Sequence, residues 1–467
     1  MTIAIDGIGL ATAQGSVSAL PWTPSRWSVS RVCFPALDSS LSGAARWQAL
    51  AAKALGDIGA SEKTPLLVAS CNGSAADVWE DAFDTSALLA GTAWANDRLP
   101  VFSSSCASGI HALYAARQLL TTGAVDEVLV LAADILAQSN HENFESLRVL
   151  AETVSTPWQS SSLGFVLGEA AVVVRVVRAE GDATVLHGPV LGSDLVEHDA
   201  LSDVLERVSP QNATLILGQG TGPFAVDSAE LAALAAFVDK KVPISAPLTQ
   251  FGHTLGASGL LAVALGALIH QTNSSPNPTG QTTDGRTYCR GGPPWPPLCG
   301  TQSRGGHGGP PLQYVLTSCR ALNGACGATM IGGEGHATKR SNAWRNVATP
   351  GPLMNSTLRR LAQEATTHRP INPPDALILR MEKPLSPPSS AVIAGRLLPS
   401  AVLEITPGFA SQLIARCWGY TGPALCLVGD VDTDPYSLKN ALRESGQTVF
   451  QVNLRGTGDQ RAIEWNV

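Results

Sequence analysis

The sequence predicts an α/β fold in which a largely parallel sheet is covered by helices, and two observations carry that expectation. Short apolar runs alternate with segments at helical period through roughly the first 180 residues, a β-α-β rhythm. One of the runs, Asp126 to Asp134, is apolar throughout from Val128 to Ala133, the pattern of a strand buried on both faces. The chain has 467 residues, 44% hydrophobic and 15% charged, enough apolar side chain for the cores of two or three domains. Its formal net charge of −7, with basic residues no denser than Lys240-Lys241 and Arg359-Arg360, argues against nucleic acid or an anionic membrane as partner.

Residues 3–10 read as a first strand, because no basic region and cleavage site frame them as a signal peptide; a cytoplasmic protein is expected. Ala44 to Leu55 has helical period, Pro65 to Ser70 is a second strand and Leu99 to Phe102 a third. Ile110, Leu113, Tyr114 and Ala116 then line one face of a helix that Gly123 stops. A further helix is expected from Glu142 to Leu150, and a loop followed by a strand from Gly164 to Val176. Thr214 to Leu217 and Val242 to Ala246 begin short strands. Leu255 to Ile269 is broken by Gly256, Ser258, Gly259 and Gly266 and is too short to span a bilayer, so it reads as a buried helix. Gln271 to Pro311 is Gly/Pro-rich text that supports neither helix nor strand; an insertion and a locally altered reading frame both account for it. Order resumes in a strand pair between Tyr314 and Ile331. Nine cysteines without a C-x-x-C pair point to reduced thiols, and Cys289, Cys299 and His307 fit no standard zinc spacing, so no metal is expected.

Chemistry concentrates at Val101-Phe-Ser-Ser-Ser-Cys-Ala-Ser-Gly109. Cys106 falls at a strand-to-helix turn, where unpaired helix N–H groups and the positive end of the dipole favour a thiolate nucleophile. The competing reading is a small buried cysteine packed under the helix.

The stretch Ser105-Cys106-Ala107-Ser108-Gly109 resembles the cysteine motif of the β-ketoacyl-acyl-carrier-protein synthases, of the thiolase-like superfamily. Gly164-Phe-Val-Leu-Gly-Glu169 is similar to a second motif of that family, and Phe251-Gly-His-Thr-Leu-Gly-Ala-Ser-Gly259 to a third, which retains His253. Gly218-Gln-Gly-Thr-Gly222 resembles a fourth in which the family has histidine where this chain has Gln219; Asp227 and Glu230 stand at the family's offsets and secure the register. Leu248 replaces a lysine five residues before His253. Leu322 falls at the family's gating phenylalanine and Asn323-Gly324 at its paired glycines.

The resemblance implies a thiolase-like fold of two similar βαβ halves with helix-covered sheets, plus a C-terminal extension. The expected boundaries are an N-terminal half over 1–180, a C-terminal half over 181–335 interrupted by the loop 271–311, a linker over 336–352 and an extension over 353–467. The extension reads either as a truncated, cysteine-free second synthase-like unit, with Val431 near the nucleophile's place, or as a helical cap. The stretch before Cys106 is shorter than in most members. By resemblance, Cys106 takes the acyl group. His253 and Gln219 donate hydrogen bonds to a malonyl carbonyl, and backbone N–H groups of Cys106 and of Asn323-Gly324 hold the oxyanion. Glu169, Thr221 and Asp227 support loops. Gln219 can donate but cannot exchange a proton near pH 7.

Three classes follow: a condensing enzyme of fatty-acid or polyketide-type synthesis, an acyl-transferring synthase that does not decarboxylate, and a non-catalytic partner that shapes another synthase's chain length. Cys106 counts against the third; Gln219 and Leu248 count for the second. The expected partners are an acyl carrier protein with its acyl and malonyl thioesters and a like subunit, in a homodimer or a heterodimer with another synthase. No cofactor is implied.

Overall fold

The run predicted at 126–134 forms a strand, Glu127–Asp134, with hydrogen-bonded neighbours on both sides and every residue after Glu127 buried. The computed structural model describes residues 2–13, 33–37, 40–59, 64–75, 79–151, 157–159, 164–181, 183–194, 200–239, 241–274, 314–333, 353, 355–386, 392–393, 396–397, 399–457 and 461–466. Residues 275–311 of the expected loop and the linker 336–352 lie outside them, as do Cys289, Cys299 and His307.

In chain order the main-sheet strands are β1 (Ile3–Thr12), β2 (Leu66–Ala69), β3 (Val101–Phe102), β4 (Glu127–Asp134), β5 (Ala170–Arg178), β6 (Thr184–Ser193), β7 (Leu215–Leu217), β8 (Ile244–Ser245), β9 (Tyr314–Arg320), β10 (Ala325–Gly332), β11 (Ala376–Met381), β12 (Ala424–Val428), β13 (Val449–Arg455) and β14 (Ala462–Asn466). The principal helices are α1 (Gly43–Asp57), α2 (Ser108–Thr122), α3 (Gln138–Ser146), α4 (Ala200–Val208), α5 (Phe224–Phe237), α6 (Ser258–Ser274), α7 (Ser356–Thr367), α8 (Pro399–Ile405), α9 (Pro407–Trp418) and α10 (Leu438–Glu444).

The strands form one 14-stranded sheet in the order β8-β7-β9-β10-β6-β1-β5-β4-β2-β3-β12-β11-β13-β14. In the first half β4, β2 and β3 are parallel, and in the second β9, β7 and β8 are parallel. The sheet is nevertheless mixed and not parallel throughout, because β1 lies antiparallel to both β5 and β6 and stitches the halves together. Helix α2 is buried almost all round, from Ser108 to Ala116, and shares one core cluster with the apolar face of α6. That explains why the apolar stretch after Leu255 carries no polar face: it runs through the interior.

One predicted helix is displaced. It spans Gln138–Ser146, not Glu142 to Leu150, because Arg148 turns the chain with φ +56° and Leu150 bridges Phe165 instead. Its apolar tail, Leu147 to Leu150, packs under the loop that carries Phe165. The C-terminal extension joins the sheet outright: β3 and β12 pair antiparallel, Val101 opposite Val428 and Phe102 opposite Leu427. Among the described residues no helix is long and apolar enough to cross a membrane.

Candidate active site

The turn between β3 and α2 is fixed by its serines. Ser103 N–H donates to Cys426 O at 2.9 Å, Ser104 N–H to Ser108 Oγ at 2.9 Å, and Ser108 Oγ–H to Ser105 O at 2.6 Å. Ser105 has φ +56°, a conformation costly for a residue with a Cβ, and it aims the next residue, Cys106, inward. Cys106 is 2% exposed. Burial, and then the Asp134 carboxylate, push its thiol up to about 12. This corrects the expectation of a dipole-stabilised thiolate: α2 begins only at Ser108, and desolvation outweighs the helix end.

Asp134 ends β4 beneath this turn. Its Oδ1 accepts Ser70 Oγ–H at 2.8 Å and Asn72 N–H at 3.1 Å; its Oδ2 accepts Cys71 N–H at 2.9 Å and Gly256 N–H at 2.7 Å. Burial raises it to about 6 despite those donors. As the polar end of an apolar strand it was visible in the sequence, yet no motif drew attention to it.

His253 is built by two of the sequence motifs together. Its N–H donates to Val166 O at 2.7 Å, its O accepts Gly168 N–H at 3.1 Å, and the Phe165 ring stands edge-on to the imidazole with centroids 4.6 Å apart. A Cβ on Gly168 would lie 1.9 Å from Phe251 O, so only glycine permits this crossing. Nδ1 of His253 accepts the Leu255 N–H at 3.3 Å and faces Ser258 Oγ at 3.0 Å. A backbone N–H can only donate, which assigns the ring proton to Nε2. Burial lowers the imidazole to about 4, so it is a neutral Nε2–H donor at pH 7.

Gln219 sits on a loop clamped by two acids of α5. Glu230 accepts the N–H groups of Gln219 at 2.8 Å and Gly220 at 2.9 Å, while Asp227 accepts Gly222 N–H at 2.9 Å and faces Thr221 Oγ1 at 3.4 Å. Arg320 N–H donates to Gln219 Oε1 at 2.5 Å, and Nε2 is left buried without a partner among the described residues. Glu169 serves a similar structural purpose elsewhere, accepting Ala36, Leu37 and Leu136 N–H groups and a two-pronged contact from Arg46.

Gln219 and His253 line one cleft, with about 350 Å³ of open space, together with Leu248, Ser258 and Cys319. Cys106 opens instead on a second cleft, with about 470 Å³ of open space counted out into solvent, lined by Asn140, Phe144, Leu147, Leu322 and residues of α8. Cys319 stands at the partition: it lines the first cleft, and its Sγ lies 3.3 Å from Cys106 O. Of the expected oxyanion donors, Gly324 is otherwise engaged, since its N–H closes a turn onto Ala321 O at 3.0 Å. Asn323 offers a side-chain donor in its place: Oδ1 accepts Ala325 N–H at 3.1 Å and Nδ2 is buried without a partner among the described residues. Sequence reasoning passed over Cys319 and Arg320, which matter through contacts far along the chain, and Arg416, whose guanidinium holds Asn323 O at 3.0 Å from within the extension. Among the described residues no cluster of three or more His, Cys, Asp or Glu is arranged to hold a metal.

Comparison with known proteins agrees with this architecture. Residues 100–181 match the model of the β-ketoacyl synthase N-terminal domain, and residues 194–280 that of the C-terminal domain. Nodulation protein E of Rhizobium leguminosarum bv. trifolii is 28% identical over 190 residues, covering 35% of this chain and 47% of that protein. The chain thus spans about half the length of the curated relatives it matches. Among solved structures, the ketosynthase ApeO in complex with its chain length factor ApeC from Xenorhabdus doucetiae matches 71% of this chain and 98% of its own at 19% identity and a TM-score of 0.52. The PfaC keto synthase–chain length factor matches 97% of this chain and 74% of its own at 12% identity and a TM-score of 0.65, so the likeness of fold runs on through the extension. Residues 100–280 thus carry matches to both β-ketoacyl synthase domain models in order, the first including Cys106 and the second His253.

Proposed function

We propose that the protein is an acyltransferase that loads Cys106 from an acyl-carrier-protein thioester, and that its condensing step with a malonyl unit is slow. The observation that carries this reading is the division of the site: Gln219 and His253, each a neutral donor, line one cleft, while Cys106 opens on another across Cys319. In loading, Cys106 Sγ attacks the acyl carbonyl carbon, its bond to the carrier's sulfur breaks, and the departing thiolate takes the proton that Cys106 gave up. In condensation, the malonyl C–CO₂⁻ bond breaks and carbon dioxide leaves. The enolate carbon then bonds to the acyl carbonyl, and the C–S bond to Cys106 breaks. Two donors on the developing enolate serve that second step. Gln219 supplies one without being able to become a cation, and Leu248 puts an apolar side chain where a cation would help, so loading is favoured over decarboxylation.

The intact mass of the protein after incubation with acyl- and then malonyl-loaded carrier protein tests this. An acyl adduct on the wild type and none on Cys106→Ala is expected. An adduct of the same size on Cys106→Ala defeats the reading, and rapid formation of a ketoacyl product defeats the statement that condensation is slow.

A further inference from the structure

The extension repeats the order of the chain's own first half. In the first half α1, β2, β3, α2, β4 and β5 come in that order, with α3 set between β4 and β5; β2 is parallel to β3 and β4, and β4 is antiparallel to β5. In the extension α7, β11, β12, α10, β13 and β14 come in the same order, with α8 and α9 set between β11 and β12; β11 is parallel to β12 and β13, and β13 is antiparallel to β14. The two sets meet head to head at the antiparallel pair β3–β12, as two copies related by a local twofold would. Helices α2 and α10, which follow those strands, share a core cluster, and Gln447, just past the end of α10, donates to Gln118 Oε1 at 2.7 Å. The turn after β12, Gly429 to Thr433, holds no cysteine.

Where the first half has only the short helical turns Trp79–Asp81 and Thr85–Leu88 between β2 and β3, the extension has the helices α8 and α9 between β11 and β12. Val402, Leu403, Ile405 and Thr406 form one side of the cleft into which Cys106 opens, facing Phe144, Leu147 and Leu322. An acyl group carried on Cys106 within this cleft therefore runs toward α8. The wall is held against the nucleophile turn from behind: α9 begins directly after Thr406, and a Cβ on its Gly408 would stand 2.6 Å from Ser104 Cα. Arg416 further along α9 grips Asn323 O at 3.0 Å.

We propose that the extension is an internal half-copy that stands where a partner subunit would pair with β3, and that Val402 and Ile405 of its α8 set the length of acyl group Cys106 accepts. This rests on Cys106 being the acylated residue.

The test uses the full chain, loaded with carrier-protein thioesters from acetyl to dodecanoyl and read by intact mass. Val402→Trp is expected to lower loading of the longest accepted chain about tenfold or more while acetyl loading stays within about twofold, the scale of misfitting a methylene or two. The double variant Val402→Ala/Ile405→Ala is expected to accept longer chains, and it carries the test if the tryptophan variant fails to fold. A parallel series of N-alkyl iodoacetamides of rising length reads the same wall on Cys106 without carrier protein. A length limit that moves with these variants in the alkylation series, but with no acyl loading at any length, would leave the wall standing and overturn the acyl-transfer reading. Length profiles identical to the wild type in folded variants, in either series, would overturn the wall.

Discussion

Gln219 Oε1 accepts the Arg320 N–H at 2.5 Å, and that bond decides which end of the amide faces the cleft. A flipped amide would set two donors against each other, so Nε2–H is the end of the amide left as an unpartnered donor among the described residues. A histidine at this place could offer the same donor and also take up positive charge as the enolate develops. Gln219→His is expected to raise decarboxylation of malonyl-carrier protein by about tenfold or more, measured as carbon dioxide release. An unchanged rate in a variant that still acylates would mean that the amide is already competent or that Leu248 is limiting.

Cys106 titrates at about 12 in the free protein, held up by burial and by Asp134. Only the thiolate is nucleophilic, so alkylation of Cys106 by iodoacetamide should climb about tenfold per pH unit from pH 7 to pH 10. Mass spectrometry of the alkylated peptide checks this. A plateau near pH 8 would show a thiolate stabilised by something other than the groups described.

Asp134 accepts from Cys71 N–H and Gly256 N–H through one oxygen and from Ser70 and Asn72 through the other. An Asp134→Asn side chain must turn its N–H₂ toward one of these donor pairs, and we expect a loss of about 2 kcal/mol or more in unfolding free energy. The wild type should also carry a pH signature. Burial raises the folded carboxyl from 3.8 to about 6, so the folded state keeps a proton that the unfolded state has lost. That contribution is full below pH 4 and is lost as pH rises through 6, a change of about 3 kcal/mol. Denaturant unfolding of both proteins at pH 4 and pH 7 reads it as a difference between their pH slopes; parallel slopes would contradict it.

Much of this was legible in the chain because it is local. The Gly164 to Glu169 and Gly252 to Ser258 stretches keep the glycines that let Gly168 cross Phe251 O and deliver His253, and the apolar run into Asp134 marks a strand bonded on both sides. The thiol's state was not legible, because it depends on how much chain closes over Cys106, and the helix end that would lower it starts at Ser108. The roles of Arg320 and Arg416 were hidden for a related reason: each acts across more than 90 residues of chain, and a lone arginine carries no periodic signal. Gly324 illustrates the reverse, a residue in the expected place whose N–H the turn itself consumes.

The extension also abuts the turn that bears Cys106. Gly408 has no unusual φ, so its conformation does not require glycine; its surroundings do. A Cβ there would lie 2.6 Å from Ser104 Cα and 2.7 Å from Ser103 O, both backbone atoms that cannot rotate aside. Gly408→Ala must therefore push α9 away from the turn or push the turn itself, two residues before Cys106. We expect a stability loss of about 1–3 kcal/mol, typical of overpacking, together with acyl loading of Cys106 slowed by about tenfold or more as the thiol moves off its line of attack. Gly56, exposed near the end of α1 with nothing within 4 Å of the place a Cβ would take, is the control. Gly56→Ala is expected to leave loading unchanged and to stabilise by up to about 1 kcal/mol through helix propensity alone. Thermal unfolding and intact-mass loading of the two variants side by side decide the matter: equal stability and equal loading in Gly408→Ala would mean that α9 does not bear on the nucleophile turn as described.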